Sequence, residues 1–177
     1  MKSIKKDITI ITEGEFDAKF LSKLFANKKY SSNLHILSAS GFSSALSKVK
    51  TILSSKETSV LLILDTDTIS ENDILDKKSF VNTYLKQDFF KNRIKIIWAI
   101  PEFEIIFLNN KKFLQELTNS QVNDELIEIG KVSPKRTLEK ISNRKREDFI
   151  SYLDKKEIND EFYKDDLILD IENFIKK

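Results

Sequence analysis

The chain has no cysteine, three glycines, two prolines, one histidine and no long hydrophobic run. Without cysteine, neither a disulfide framework nor a thiolate-bound metal centre can form. With a single histidine besides, a structural zinc module is excluded too. Nothing approaches the ~20 consecutive apolar residues of a membrane helix. The N-terminus is basic, but the apolar run behind it, Ile8–Ile11, stops at once in Thr12-Glu13-Gly14, which is not the pattern of a signal peptide. These absences lead to the expectation of a cytoplasmic protein with no membrane partner. So few glycines and prolines leave little material for long linkers, and no repeat of fixed period is visible. A formal net charge of +2 points to no class of partner by itself.

What is present is a phenylalanine-rich core. Of 177 residues, 40% are hydrophobic and 13 are Phe, enough for one domain of ordinary size. Apolar runs at 8–13, 34–39, 59–65 and 94–100 read as strands, the last stopped by Pro101, which cannot donate to a ladder. Between them, apolar residues recur at helical spacing: Phe16, Phe20, Leu21, Leu24 and Phe25; then Phe42, Ala45, Leu46, Val49, Ile52 and Leu53; then a stretch from Ile74 to Phe90. Ser40-Gly41 is a turn. Strands alternating with helices predict an α/β fold with a parallel sheet covered on both faces. The remainder reads as helical, with helices near 102–117, 133–142, 145–155 and 160–175. Ser133-Pro134 supplies an N-cap and a first-turn proline. The expected organisation is an α/β domain over residues 1–110 and a helical extension over 111–177 packed on it.

Two of the apolar runs end on carboxylates. The first is Ile8-Thr-Ile-Ile-Thr-Glu13-Gly14, with Asp17 one helical turn on; the second is Val60-Leu-Leu-Ile-Leu-Asp65-Thr-Asp67. Ligands of open α/β sheets bind beyond the carboxyl ends of the strands. Carboxylates converging there repel one another unless a cation lies between them. Hard oxygen donors of this kind suit Mg²⁺, which takes one or two carboxylates and keeps waters for substrate phosphates. Asp65 and Asp67 face the same way only while the chain stays extended.

These segments, ITIITEGEFD and LLILDTD, resemble the two signature motifs of the TOPRIM domain, a strand ending in Glu-Gly and a second ending in Asp-x-Asp. The intervening ILSASGFSSAL is similar to the strand, glycine turn and helix of that family, and the resemblance covers about residues 7–108. It implies a TOPRIM-like four-stranded parallel sheet flanked by helices. It further implies Mg²⁺ or Mn²⁺, one or two ions, with Glu13, Asp65 and Asp67 as ligands and catalytic residues, and Asp17 assisting a second ion. In the OLD-like, phage-defence-associated members a further Glu follows the last strand; Glu104 resembles it best and Glu102 is the alternative. The implied activity is phosphodiester hydrolysis of DNA or RNA.

Other members fit less well. A topoisomerase needs a tyrosine on large extra domains. A primase needs a polymerase core and a zinc module. The ribosomal-RNA maturation nucleases carry an Asp-Pro-Asp-type motif followed by Gly and basic residues, whereas Thr68-Ile69-Ser70-Glu71 follows here. No Gly-x-x-x-x-Gly-Lys-Ser/Thr loop is present, so an OLD-type ATPase would have to be a separate partner protein. A stand-alone nuclease remains. Two other readings stay open: an inactive module that binds nucleic acid or a protein, and a HAD-type phosphatase read from Asp65-Thr-Asp67, which would leave Glu13 without a role.

The tail is charged unevenly. Lys131, Lys135, Arg136, Lys140, Arg144, Lys145 and Arg146 form a basic run interrupted only by Glu139, and acids dominate from Glu147 onward. Lys131, Lys135, Arg136, Arg144, Lys145 and Arg146 are candidate nucleic-acid contacts, because such a stripe can follow a phosphate backbone. Lys131, Lys135 and Arg136 are also candidates to offset charge on a leaving oxygen. A solvated helix face explains the same pattern. The acidic run reads as a solvated helix or as a mask over the basic stripe. His35 and Trp98 read as structural.

Overall fold

The computed structural model describes residues 7–55, 57–85, 90, 92–155 and 158–176, except the side chains of 146, 147, 150 and 154. Four strands, β1 (Ile8–Thr12), β2 (Leu34–Ser38), β3 (Ser59–Asp65) and β4 (Ile94–Ala99), form one parallel sheet in the order β2-β1-β3-β4. Helices α1 (Glu15–Phe25), α2 (Phe42–Ser55) and α3 (Glu71–Leu85) link them in turn. The fold is α/β, as the alternating pattern predicts.

Alternation along the central strands divides the core in two. Ile10, Leu61 and Ile63 point to one face, where they meet Phe16, Phe20 and Leu24 of α1; Ile11, Val60, Leu62 and Leu64 point to the other, where they meet Ala45, Leu46 and Val49 of α2 and Val81 of α3. Both faces of β3 are therefore apolar, which is why its sequence is a continuous apolar run rather than an alternating one.

Beyond β4 the chain is helical but more broken than the sequence predicts. Residues 102–117 do not form one helix. Glu102, Phe103 and Glu104 lie in a loop, α4 is a single turn (Ile105–Leu108), and α5 (Lys111–Thr118) begins anew because the Asn110 side chain accepts a hydrogen bond from the Phe113 amide at 2.9 Å. A helix that the periodicity did not single out, α6 (Asp124–Gly130), starts on the Asn123 side chain, which accepts from the Glu125 amide at 2.8 Å. Then follow α7 (Pro134–Ser142), α8 (Arg146–Asp154), a 3₁₀ turn (Asp160–Lys164) and α9 (Asp166–Ile175). Gly130 lets α6 and α7 meet, since a Cβ there would overlap the Thr137 side chain.

The tail shares the core of the sheet. Phe162 stacks edge-on against Phe20 at 5.1 Å, Phe107 at 5.5 Å and Phe113 at 5.4 Å between ring centres. The Tyr163 hydroxyl donates to the Leu24 carbonyl at 2.7 Å, and the Tyr30 hydroxyl donates to Glu172 at 2.9 Å. Three acids of the tail take part in this docking. Glu172 also pairs with Lys28 and Lys176, Asp170 with Lys95, and Asp165 accepts from Asn109. These three acids are therefore not part of a purely solvated face. Among the described residues no helix is long and apolar enough to cross a membrane.

Candidate active site

The strand order puts a topological switch point between β1 and β3. The chain leaves β1 toward β2 on one side and returns past it to β3 on the other. In open α/β sheets the crevice at the carboxyl ends of such a pair is where ligands bind. Thr12 pairs in register with Ile63, which brings Glu13, just past the end of β1, and Asp65, the last residue of β3, to that crevice. They touch: the Asp65 amide donates to Glu13 Oε1 at 3.0 Å.

Asp65 follows the period of Leu61 and Ile63 and turns toward the α1 side of the sheet. There its Oδ1 accepts from the Phe103 amide at 2.9 Å. Three acids surround it. Glu13 is its neighbour on β1, Asp17 projects from α1 and is buried, and Glu104 is buried at the start of α4. Burial first, then the charges of Asp17, Glu104 and Glu13, push the Asp65 carboxyl up to about 8, against the pull of the Phe103 N–H. Burial also raises Glu13, opposed by the Asp65 amide and by Lys77.

Asp17 has a local role too, accepting from the Gly14 amide at 3.3 Å across the first turn of α1. The two acids after Pro101 separate cleanly. Glu104 joins the Asp65 cluster. Glu102 turns away and accepts from the Lys135 amide at 2.9 Å, capping the start of α7. Ser133, the N-cap expected from sequence, makes no such side-chain bond, so Glu102 takes that part from 33 residues away.

Asp67 departs from the expectation. Had the strand continued, it would share the side of Asp65. The ladder ends at Asp65, and at Asp67 the backbone enters the left-handed region (φ 58°), its amide held by the Pro101 carbonyl at 2.9 Å. The reversal carries its side chain toward α3, where Lys77 Nζ lies 2.6 Å from Oδ2. Lys77 also reaches the Thr66 carbonyl and the face of Phe42. Sequence reasoning missed Lys77. The available signal was weak: a lysine on the helix that follows the acidic strand end. Among the described residues no three of these acids already stand close enough together to hold an ion.

The basic run does not form one stripe. Asn143, also left-handed (φ 51°), ends α7 and breaks the line. Lys131 pairs with Glu128, Arg144 lies over the Tyr152 ring, Arg136 and Lys145 are exposed, and the Arg146 side chain is outside the described residues. Among the described side chains of the run, Lys135 is the one that lines a small cavity with Glu104, together with Phe16, Leu138, Glu139 and Phe149.

No family model matches the sequence, no curated protein matches it, and no solved structure matches the fold.

Proposed function

We propose that the chain is a TOPRIM-type metal-dependent nuclease that hydrolyses phosphodiester bonds at the crevice between β1 and β3. The observation that carries this reading is the contact of Glu13 with Asp65 at the switch point, with Asp17 and Glu104 close enough to load Asp65 with unfavourable charge. Three acids around the largely buried Asp65 carboxylate make an all-oxygen donor set of the kind that suits hard divalent cations such as Mg²⁺ or Mn²⁺. Glu13, Asp65 and Glu104 would hold the ion, with Asp17 behind them and Asp67 at the rim. When bound, it supplies Lewis-acid polarisation of a phosphate oxygen and a water of lowered pKa.

The chain's own groups do the rest. Burial raises the Glu13 carboxyl, the direction a general base needs, so Glu13 would serve as ligand or as base. Lys77, drawn to the rim by Asp67, offers a cation for phosphate oxygens, and Lys135, which shares a small cavity with Glu104, is a second candidate to offset charge on the leaving oxygen. The test is cleavage of plasmid DNA and of RNA with Mg²⁺ or Mn²⁺ by the wild type and by Asp65→Ala. Loss of cleavage in the variant is expected; equal activity in both refutes the site. A second reading, an inactive module that binds nucleic acid or a partner, draws on the Lys77–Asp67 pair, in which a lysine already neutralises one of the motif's carboxylates. Calorimetry with Mg²⁺ separates the two: that reading requires no heat of binding in the wild type.

A further inference from the structure

An aromatic ladder leaves the acidic crevice on the side opposite α1. Phe42 opens α2 directly beside the site, because the Gly41 amide before it bonds the Glu13 carbonyl at 3.1 Å. Gly41 makes that turn at φ 95°, a conformation few other residues adopt. From Phe42 the rings continue to Phe80 at 6.2 Å and on to Tyr84 at 6.0 Å, with interplanar angles of 29° and 27°. Phe42 and Tyr84 rest against the second core cluster, which fixes them, while Phe80 stands 54% exposed.

Two lysines sit against the two end rings of the row. Lys77 Nζ lies 4.8 Å from the centre of Phe42 and Lys50 Nζ lies 3.7 Å from the centre of Tyr84. Residues 42–55 of α2 include no acid, and the acids of α3, Glu71, Asp73 and Asp76, all precede Lys77, so the half of that helix bearing the rings has none. An exposed ring that can accept a flat partner, with a cation at each end of its row for a polyanion, matches the recognition of unpaired bases on a phosphate chain. A duplex hides its base faces and cannot use such a surface.

We propose that Phe42, Phe80 and Tyr84, with Lys50 and Lys77, form a stacking platform for single-stranded nucleic acid that leads the strand into the Glu13–Asp65 crevice. The inference rests on the nuclease reading for the strand's destination, but the platform binds without chemistry. Phe80 is the main stacking residue because it has the most open surface. Phe42, touching Lys77, is the ring nearest the carboxylates.

The experiment is fluorescence anisotropy in EDTA, which removes catalysis, with a labelled oligothymidylate, a labelled oligouridylate and a duplex of equal length. Phe80→Ala is expected to weaken binding of the single strands about tenfold while leaving the weaker duplex binding unchanged, and Phe80→Trp is expected to restore it. The two single-stranded probes tell whether DNA or RNA is preferred. Full affinity in Phe80→Ala or Phe80→Leu, or equal weakening for duplex and single strand, overturns the platform. Failure of the nuclease reading appears separately, as Asp65→Ala cleaving like the wild type or as no cleavage by either while the binding difference persists. In a cleavage assay Phe80→Ala should raise KM with kcat unchanged.

Discussion

Replacing Asp65 by Asn should stabilise the metal-free protein while abolishing its response to Mg²⁺. The carboxamide keeps an oxygen for the Phe103 amide but carries no charge among Asp17, Glu104 and Glu13. The ordinary value of this carboxyl is 3.8 and the folded value is about 8. Because the folded value is raised, the folded state holds the proton more tightly than the unfolded chain does. The associated stability is fully present below about pH 4 and is lost as pH rises toward 8. At pH 7 about three pH units have been crossed, each worth ~1.4 kcal/mol, giving an upper figure of about 4 kcal/mol. Exchanging the carboxyl acceptor of the Phe103 amide for a carboxamide takes back about 1 kcal/mol. A net gain of about 2–3 kcal/mol corresponds to ~5–10 °C in a chain of this size. The assay is thermal melting from pH 5 to pH 9, in EDTA and in Mg²⁺. In EDTA the wild type should lose stability as pH rises, and Asp65→Asn should lose less. Mg²⁺ should raise the wild-type Tm most at the alkaline end and leave the variant unmoved. A variant that melts at or below the wild type at pH 8 in EDTA would refute the reasoning, because the buried charge would then be no burden for a cation to relieve.

Two further outcomes test the architecture. Phe162→Ala removes a fully buried ring that stacks on Phe20, Phe107 and Phe113, and should cost about 3–5 kcal/mol in denaturant unfolding; a loss below 1 kcal/mol would mean the tail does not share the core. Glu102→Ala leaves the Lys135 amide uncapped and should lower stability by about 1 kcal/mol in the same assay without changing the heat of Mg²⁺ binding, whereas Glu104→Ala should diminish that heat; the reverse pattern would exchange the parts assigned to the two acids.

Much of the fold was legible because it rests on local signals. Continuous apolar runs bounded by Thr, Glu and Pro mark the four strands to within a residue, and the helices between them follow the spacing of Phe16, Phe20 and Leu24 or of Ala45, Leu46 and Val49. The tail was less legible. Its breaks depend on single side chains, Asn110 and Asn123, accepting hydrogen bonds from nearby amides, and apolar periodicity does not register them. In the candidate site, Glu13, Asp17, Asp65 and Glu104 were readable as acids at element ends. The role of Glu102 was not, because it serves a helix whose start lies 33 residues away.

The sequence alone determined which segments are strands and that two of them end in acid. Tertiary structure decided which acids meet. Pairing of β1 with β3 brings Glu13 to Asp65, although 52 residues separate them. One backbone reversal at Asp67, fixed by the Pro101 carbonyl, sends that carboxylate to Lys77 instead. Local pattern sets the direction of a side chain only while the strand persists; past its end, hydrogen bonds from elsewhere in the chain set it.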